Sequence, residues 1–304
     1  MEGSGGKELL AVGPAGAPAW MAEAVRAGGG RVVPAERARA VLWADPDDPA
    51  GLRRLLDLHG DHLEWVQLPW AGVEPYVSVM DAERIWTCGK GAYAEPVAEM
   101  ALTLALAGMR GLGRYARSAR WREAGALGTN LAGARVTVLG GGGITEVLLR
   151  LLGPFDCDVT VVRTRPSEMP GATRVMGPDR LDAALEERDL VVLALALTPA
   201  NRGVIDAGRL ALLTPSSWLV NVARGAHVVT DDLVDALTDG RLGGAGLDVT
   251  DPEPLPDGHP LWSLPNCIVT PHVGNTPEMA RPLLADRITE NVSRWIAGQP
   301  LVGP

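Results

Sequence analysis

The stretch RVTVLGGGGITEVLLRLLGPFDCDVTVVRTR, residues 135–165, constrains the fold more than any other. A β-branched run ends in four glycines, an apolar pattern of helical period follows, and a second β-branched run closes the segment. That is a strand, a tight turn, a helix and a parallel strand. Gly140 and Gly142 stand at the first two positions of a G-x-G-x-x-G loop. The first permits the turn, and the second lets backbone approach a pyrophosphate. The amides of Gly143 and Ile144, at the helix start, would point at that anion. Thr145 takes the third position, where glycine normally allows close helix–strand contact, so the helix is expected slightly further out.

The second strand ends in Arg163, followed by Thr164 and Arg165. An acidic residue there would accept hydrogen bonds from the ribose 2′-hydroxyl and repel a 2′-phosphate. A guanidinium fork reverses that choice, with the Thr164 hydroxyl and the Arg165 charge beside it. The expected cofactor is NADP(H) by preference, with NAD(H) possible.

The same rhythm extends along the chain. LLAVG, RVVP, AVLWAD, EWVQLP and RIWTC read as strands before residue 94, separated by the helical patterns PAWMAEAVRAG and PAGLRRLLDLHG. From 135 onward RVTVLG, DVTVVR, TRVMG, DLVVLAL, SWLVNVA, GGAGLDV and CIVTP read as seven more. The expected fold class is α/β with two doubly wound parallel-sheet domains, a Rossmann nucleotide domain and a flavodoxin-like substrate domain. The expected boundaries are 95–273 for the dinucleotide-binding domain, and 1–94 with 274–304 for the substrate domain. A chain of 304 residues, 46% hydrophobic, is long enough for two cores.

Between the series, EPVAEMALTLALAGM is apolar nearly all round, which marks a helix buried on most sides. It serves either an interdomain core or a subunit interface. Near the end, Leu284, Ile288, Val292, Trp295 and Ile296 form a helical stripe, and Pro282 predicts a kink or a late start. Thr230 is a candidate N-cap and Gly240 a stop for the helix TDDLVDALTDG. The Gly/Ser-rich start is expected to be a mobile tail.

A net charge of −9 argues against an extended nucleic-acid surface. The apolar run 100–109 is too short to span a bilayer, and the start lacks the features of an export signal. Cys88, Cys157 and Cys267 show no zinc spacing, so no metal is expected. A reducing cytoplasm is the expected location, with a Cys157–Cys267 pairing left open.

Three later motifs, NVARG (221–225), GLDVTDPEPLP (246–256) and NCIVTPHVG (266–274), occur in order. With them the sequence resembles the D-isomer-specific 2-hydroxyacid dehydrogenase family, and its glyoxylate/hydroxypyruvate reductase branch most, over residues 64–297 or so. The resemblance implies that Arg224 clamps a substrate carboxylate and polarises the keto oxygen, a task that suits a planar fork of donors. It implies that His272 is general acid in reduction and base in oxidation, and that Glu253 pairs with it. It further implies nicotinamide contacts at Asp248 and Val222, a cofactor border at Leu195, Leu197, Thr198 and Gly274, and a carboxylate held by the amides of Ala71 and Gly72. Trp70 either shapes the substrate pocket or packs in the core. Asn201 stands where the family often has Thr. His59, His62, His227 and His259 lack such a setting and are expected to be structural or solvated. The implied enzyme is a 2-keto acid reductase acting on a small 2-keto or 2-hydroxy acid, with its active site in a closing interdomain cleft. It would form a homodimer through the 95–112 helix, without nucleic-acid or membrane partners. The alternative is a nucleotide-sensing interaction protein that kept the fold and lost useful turnover.

Overall fold

The computed structural model describes residues 6–121 and 125–303. The expected mobile tail falls largely on residues 1–5, outside the described residues. The chain divides into two compact units, Met1–Tyr93 with Thr276–Pro304, and Ala94–Asn275.

The first unit is a five-stranded parallel sheet. Its strands are β1 (Leu9–Gly13), β2 (Arg31–Val32), β3 (Ala40–Trp43), β4 (Trp65–Gln67) and β5 (Ile85–Thr87), in the order β2-β1-β3-β4-β5. Helix Pro49–His59 starts at Asp48, whose carboxylate accepts from the Gly51 amide at 2.6 Å, and Pro49 takes the position where a missing N–H costs nothing. One side chain network is polar and buried. Trp65 Nε1 and Gln67 Oε1 both meet the Thr87 hydroxyl at 2.8 Å. Asn291 Nδ2 donates to Gln67 Oε1 and to the Val302 carbonyl, while Asn291 Oδ1 accepts from the Val302 amide. Every member has a partner, so the network fixes the C-terminal segment without an orphaned group.

The C-terminal helix runs Pro277–Ile296 from a Thr276 cap and continues through Pro282. The late start expected from Pro282 does not occur. Proline there removes one main-chain bond near the helix start, and burial of Ala280, Leu284, Ile288, Val292 and Trp295 offsets the loss.

The second unit is a seven-stranded parallel sheet. Its strands are β6 (Arg135–Leu139), β7 (Asp158–Val162), β8 (Arg174–Met176), β9 (Leu190–Leu193), β10 (Trp218–Asn221), β11 (Gly244–Leu247) and β12 (Cys267–Val269). The order is β12-β11-β10-β9-β6-β7-β8, so strand order reverses between β6 and β9. That switch point is where open α/β sheets hold ligands. Helix Ala94–Met109 lays Ala98, Ala101, Leu104, Ala105 and Met109 into the same core as Val136, Val138, Leu148 and Val220. Its apolar character is thus used largely inside its own unit.

Thr230 is the first residue of helix Thr230–Thr238, not its cap. Its hydroxyl donates instead to the Asp251 carbonyl at 2.6 Å, a long-range partner that the local pattern does not contain. Gly240, at φ +68°, does end the segment. All three cysteines are free, and burial pushes the Cys267 thiol up to about 12. Among the described residues no helix is long and apolar enough to cross a membrane, and no cluster of metal-binding side chains occurs.

Candidate active site

The loops that follow β6, β7 and β9 converge at the switch point. Gly140 has φ +110°, and a β-carbon on it would stand 2.2 Å from the Ala194 carbonyl oxygen. Only glycine allows the glycine loop to lie against the start of the 195–198 loop. A β-carbon on Gly141 would meet the Arg163 side chain at 2.7 Å, whereas one on Gly142 would meet open space. Helix Gly143–Leu152 then begins, with its first amides presented at this edge. Arg163 is half-buried, and Thr164 and Arg165 are exposed. Among the described residues neither arginine pairs with a carboxylate. In a chain of net charge −9, two unneutralised arginines beside an anion-binding loop form an electropositive corner. A backbone cradle, a helix N-terminus and these cations fit the phosphates of a nicotinamide dinucleotide.

Thr145 is fully buried, and its hydroxyl donates to the Gly140 carbonyl at 2.9 Å. The residue therefore ties the helix to the glycine loop with a bond that glycine could not make. Asn201 also has defined work. Its Oδ1 accepts from the Thr198 amide at 2.7 Å, and its Nδ2 donates to the Ala196 carbonyl at 2.8 Å, which folds the 196–201 loop on itself. Leu195 and Leu197 are half-buried on that loop, and Thr198 is exposed.

Glu253 and His272 meet. His272 Nδ1 donates to Glu253 Oε1 at 2.6 Å, and the side chains are 51% and 41% exposed, so a small molecule can reach the pair. His272 has φ +53°, a left-handed backbone that costs a non-glycine residue about 1–2 kcal/mol. Asp248 holds that turn. Its buried carboxylate accepts from the Thr270 hydroxyl at 2.5 Å, the Val273 amide at 2.9 Å and the Gly274 amide at 2.8 Å. Its carbonyl accepts from the His272 amide at 2.8 Å. Sequence reasoning gave Asp248 a cofactor contact and missed this shaping role. The only local signal was the run of donors in TPHVG.

Arg224 follows β10, half-buried, with Nη1 donating to the Ala223 carbonyl at 2.8 Å. Gly225 is required there, because a β-carbon would fall 1.9 Å from the Thr250 carbonyl group. The arginine turn thus lies against the segment that leads to Glu253. Val222 is buried just before it.

In the first unit the 69–72 loop follows β4. Tyr93 donates to the Pro69 carbonyl at 2.7 Å, and the Gly89 amide to the Trp70 carbonyl at 2.9 Å. Ala71, next in the chain, is exposed, and Gly72 is half-buried. Trp70 is half-buried and packs on Tyr93, ring centres 5.9 Å apart.

A family model for the NAD binding domain of D-isomer specific 2-hydroxyacid dehydrogenases matches residues 100–274. The chain belongs to this family. An uncharacterized protein of the proB 3′ region in Corynebacterium melassecola is 36% identical over 79% of this dehydrogenase and 81% of that protein. Human glyoxylate reductase/hydroxypyruvate reductase is 29% identical over 82% of this chain and 79% of its own. Among solved structures, a D-isomer specific 2-hydroxyacid dehydrogenase from Xanthobacter autotrophicus Py2, in complex with NADPH and MES, superposes with TM-score 0.82 at 28% identity. That match covers 97% of this chain and 96% of the other. The dehydrogenase is accordingly an oxidoreductase of the NAD(P)-dependent class, with two parallel-sheet α/β domains.

Proposed function

We propose that this dehydrogenase reduces a small 2-keto acid, of the glyoxylate or hydroxypyruvate type, to the D-2-hydroxy acid, with NADPH preferred over NADH. The observation that carries the reading is the Glu253–His272 hydrogen bond on its strained, reachable turn. The nicotinamide supplies hydride to the keto carbon when bound. His272 gives the keto oxygen its proton from Nε2, because Nδ1–H is engaged by Glu253. In the reverse direction the same nitrogen takes the proton back. Arg224 receives the substrate carboxylate and polarises the keto oxygen. The amides of Ala71 and Gly72 are assigned to the carboxylate as well.

Gly140, Gly142, Gly143 and Ile144 are assigned to the pyrophosphate. Leu195, Leu197, Thr198, Val222, Asp248 and Gly274 are assigned to the remainder of the nucleotide. Asp248 serves the nicotinamide carboxamide only with the acceptor capacity its three donors leave. NADPH preference is supported by Arg163 and Arg165, which no carboxylate neutralises among the described residues, and by the absence of an acidic residue at the end of β7. Thr145 and Asn201, the two departures from the usual loop pattern, both make specific loop contacts, which supports an intact nucleotide site.

A homodimer is the assembly we assign. Leu112, Tyr115 and Trp121 are exposed beyond helix Ala94–Met109, Trp121 at 98%, an apolar surface of the kind a second copy covers. Sedimentation at equilibrium reads this directly, and a monomer at micromolar concentration overturns it. Three free cysteines support the cytoplasm as its location. The decisive assay is a panel of keto acids, glyoxylate and hydroxypyruvate included, run with NADPH and with NADH. Turnover with none of them, alongside tight nucleotide binding, removes the catalytic reading.

A further inference from the structure

His227 is the one histidine with no exposed surface, and the chemistry above does not use it. Its Nδ1 lies 3.0 Å from the Arg224 carbonyl oxygen. A carbonyl only accepts, so the ring carries its proton on Nδ1. Asn221 Nδ2 donates to the same oxygen at 3.0 Å, and Asn221 Oδ1 accepts from the Ala223 amide at 3.0 Å. The Arg224 carbonyl thereby accepts from two side chains, beside the His227 amide at 3.2 Å, while Gly225 presses on Thr250.

The segment carrying His227 also pairs with the chain that leaves the 196–201 loop. Gly203 donates to the Ala226 carbonyl at 2.8 Å, Ile205 to the His227 carbonyl at 2.9 Å, and Val229 to the Ile205 carbonyl at 2.9 Å. The His227 ring reaches back toward Ala196, whose backbone favours its charged form. Nε2 nevertheless has no hydrogen-bond partner and is buried. Burial, chiefly, and the charges of Arg224 and Arg202 hold the ring below the usual histidine range. An imidazole with one N–H and a buried, unbonded second nitrogen is costly in a protein interior. An aliphatic residue would fill the space without that cost, so its Nδ1–H bond to Arg224 is the contribution that distinguishes it.

We infer that His227 is a positioning residue, whose Nδ1–H sets the backbone direction of Arg224 and so aims its guanidinium at the substrate carboxylate. The inference rests on the proposed role of Arg224. The test compares His227→Leu, which removes the donor, with His227→Asn, whose amide nitrogen falls near the place of Nδ1, and His227→Gln, whose amide falls nearer Nε2. Each is assayed for kcat and KM with the keto acid that the wild type reduces best. Each is also titrated with oxamate, a 2-keto acid mimic, in the presence of reduced nucleotide. The Leu and Gln variants are expected to lose about tenfold in kcat/KM and in oxamate affinity, the equivalent of one ordinary hydrogen bond. The nucleotide Kd should stay within about twofold, and the Asn variant should recover most of the loss. Equal behaviour of Asn, Gln and Leu overturns the inference, whether all three are active or all three are impaired together with their melting temperatures.

A wild type that neither turns over a keto acid nor binds oxamate defeats the functional reading instead. In that event imidazole ¹⁵N shifts still decide the placement of the proton: Nδ1–H is expected, and Nε2–H removes the bond on which the inference stands.

Discussion

The two sheets are built alike and used differently. Both are parallel and filled largely with Val, Leu and Ala. In the seven-stranded unit the loops after β6, β7, β9, β10, β11 and β12 all carry residues of the candidate site. In the five-stranded unit only the loop after β4 does, and its main polar feature is the interior network Trp65–Thr87–Gln67–Asn291. The difference teaches that sheet architecture supplies an edge and leaves its use to the loops. Polar groups at a reachable edge, such as Glu253 and His272, are left with capacity to spare. Polar groups in a core are mostly bonded, as Asn291 is, and the unbonded Nε2 of His227 is an exception.

The comparison can be attacked in order of expected effect. His272→Ala should lower kcat by about 10³-fold, within the usual range for a general acid, while nucleotide affinity measured by fluorescence titration is retained. Unchanged turnover would take His272 out of the mechanism. Next, Arg163→Asp should cost NADPH about a hundredfold in kcat/KM, the scale of lost charge-assisted bonds plus repulsion, and leave NADH nearly intact. An equal loss for both nucleotides ends the phosphate role.

In the other unit, Asn291→Ala strands the Val302 amide and carbonyl and should cost about 3 kcal/mol, roughly a 10 °C drop in that unit's melting temperature. Nucleotide affinity should not move. A fall in nucleotide affinity would show that the network's effect reaches beyond the C-terminal segment it holds. The smallest effect is expected from Thr145→Val, which keeps the volume and removes the donor to Gly140. NADPH affinity should weaken about fivefold, and Thr145→Ser should restore it. A Val variant with unaltered affinity reduces Thr145 to packing.

All twelve strands were legible in the sequence, because β-branched runs between turn residues are a local signal. The glycine loop and the arginine after β7 were legible from their places at strand ends, and the Arg–Glu–His set only through motifs that resemble a known family. What failed to show was every role that depends on a partner far along the chain. Thr230 reads locally as a cap, yet its hydroxyl bonds Asp251. Pro282 reads as a kink or a late start, yet the helix starts at Pro277 and the buried stripe carries it on past the proline. The resemblance gives Asp248 a nicotinamide contact, and nothing local shows that it also gathers three donors of the His272 turn.

The sequence by itself determined the α/β class, the strand count and the residue types available for chemistry, because hydrophobic period and turn chemistry act over a few residues. Tertiary structure alone decided where the hydrogen bonds go. It bonded Thr145 to the glycine loop, set His272 in a left-handed turn, and buried His227 behind Arg224. The physical reason is that a buried polar group must find a partner wherever the fold brings one, and sequence distance says nothing about which one that is.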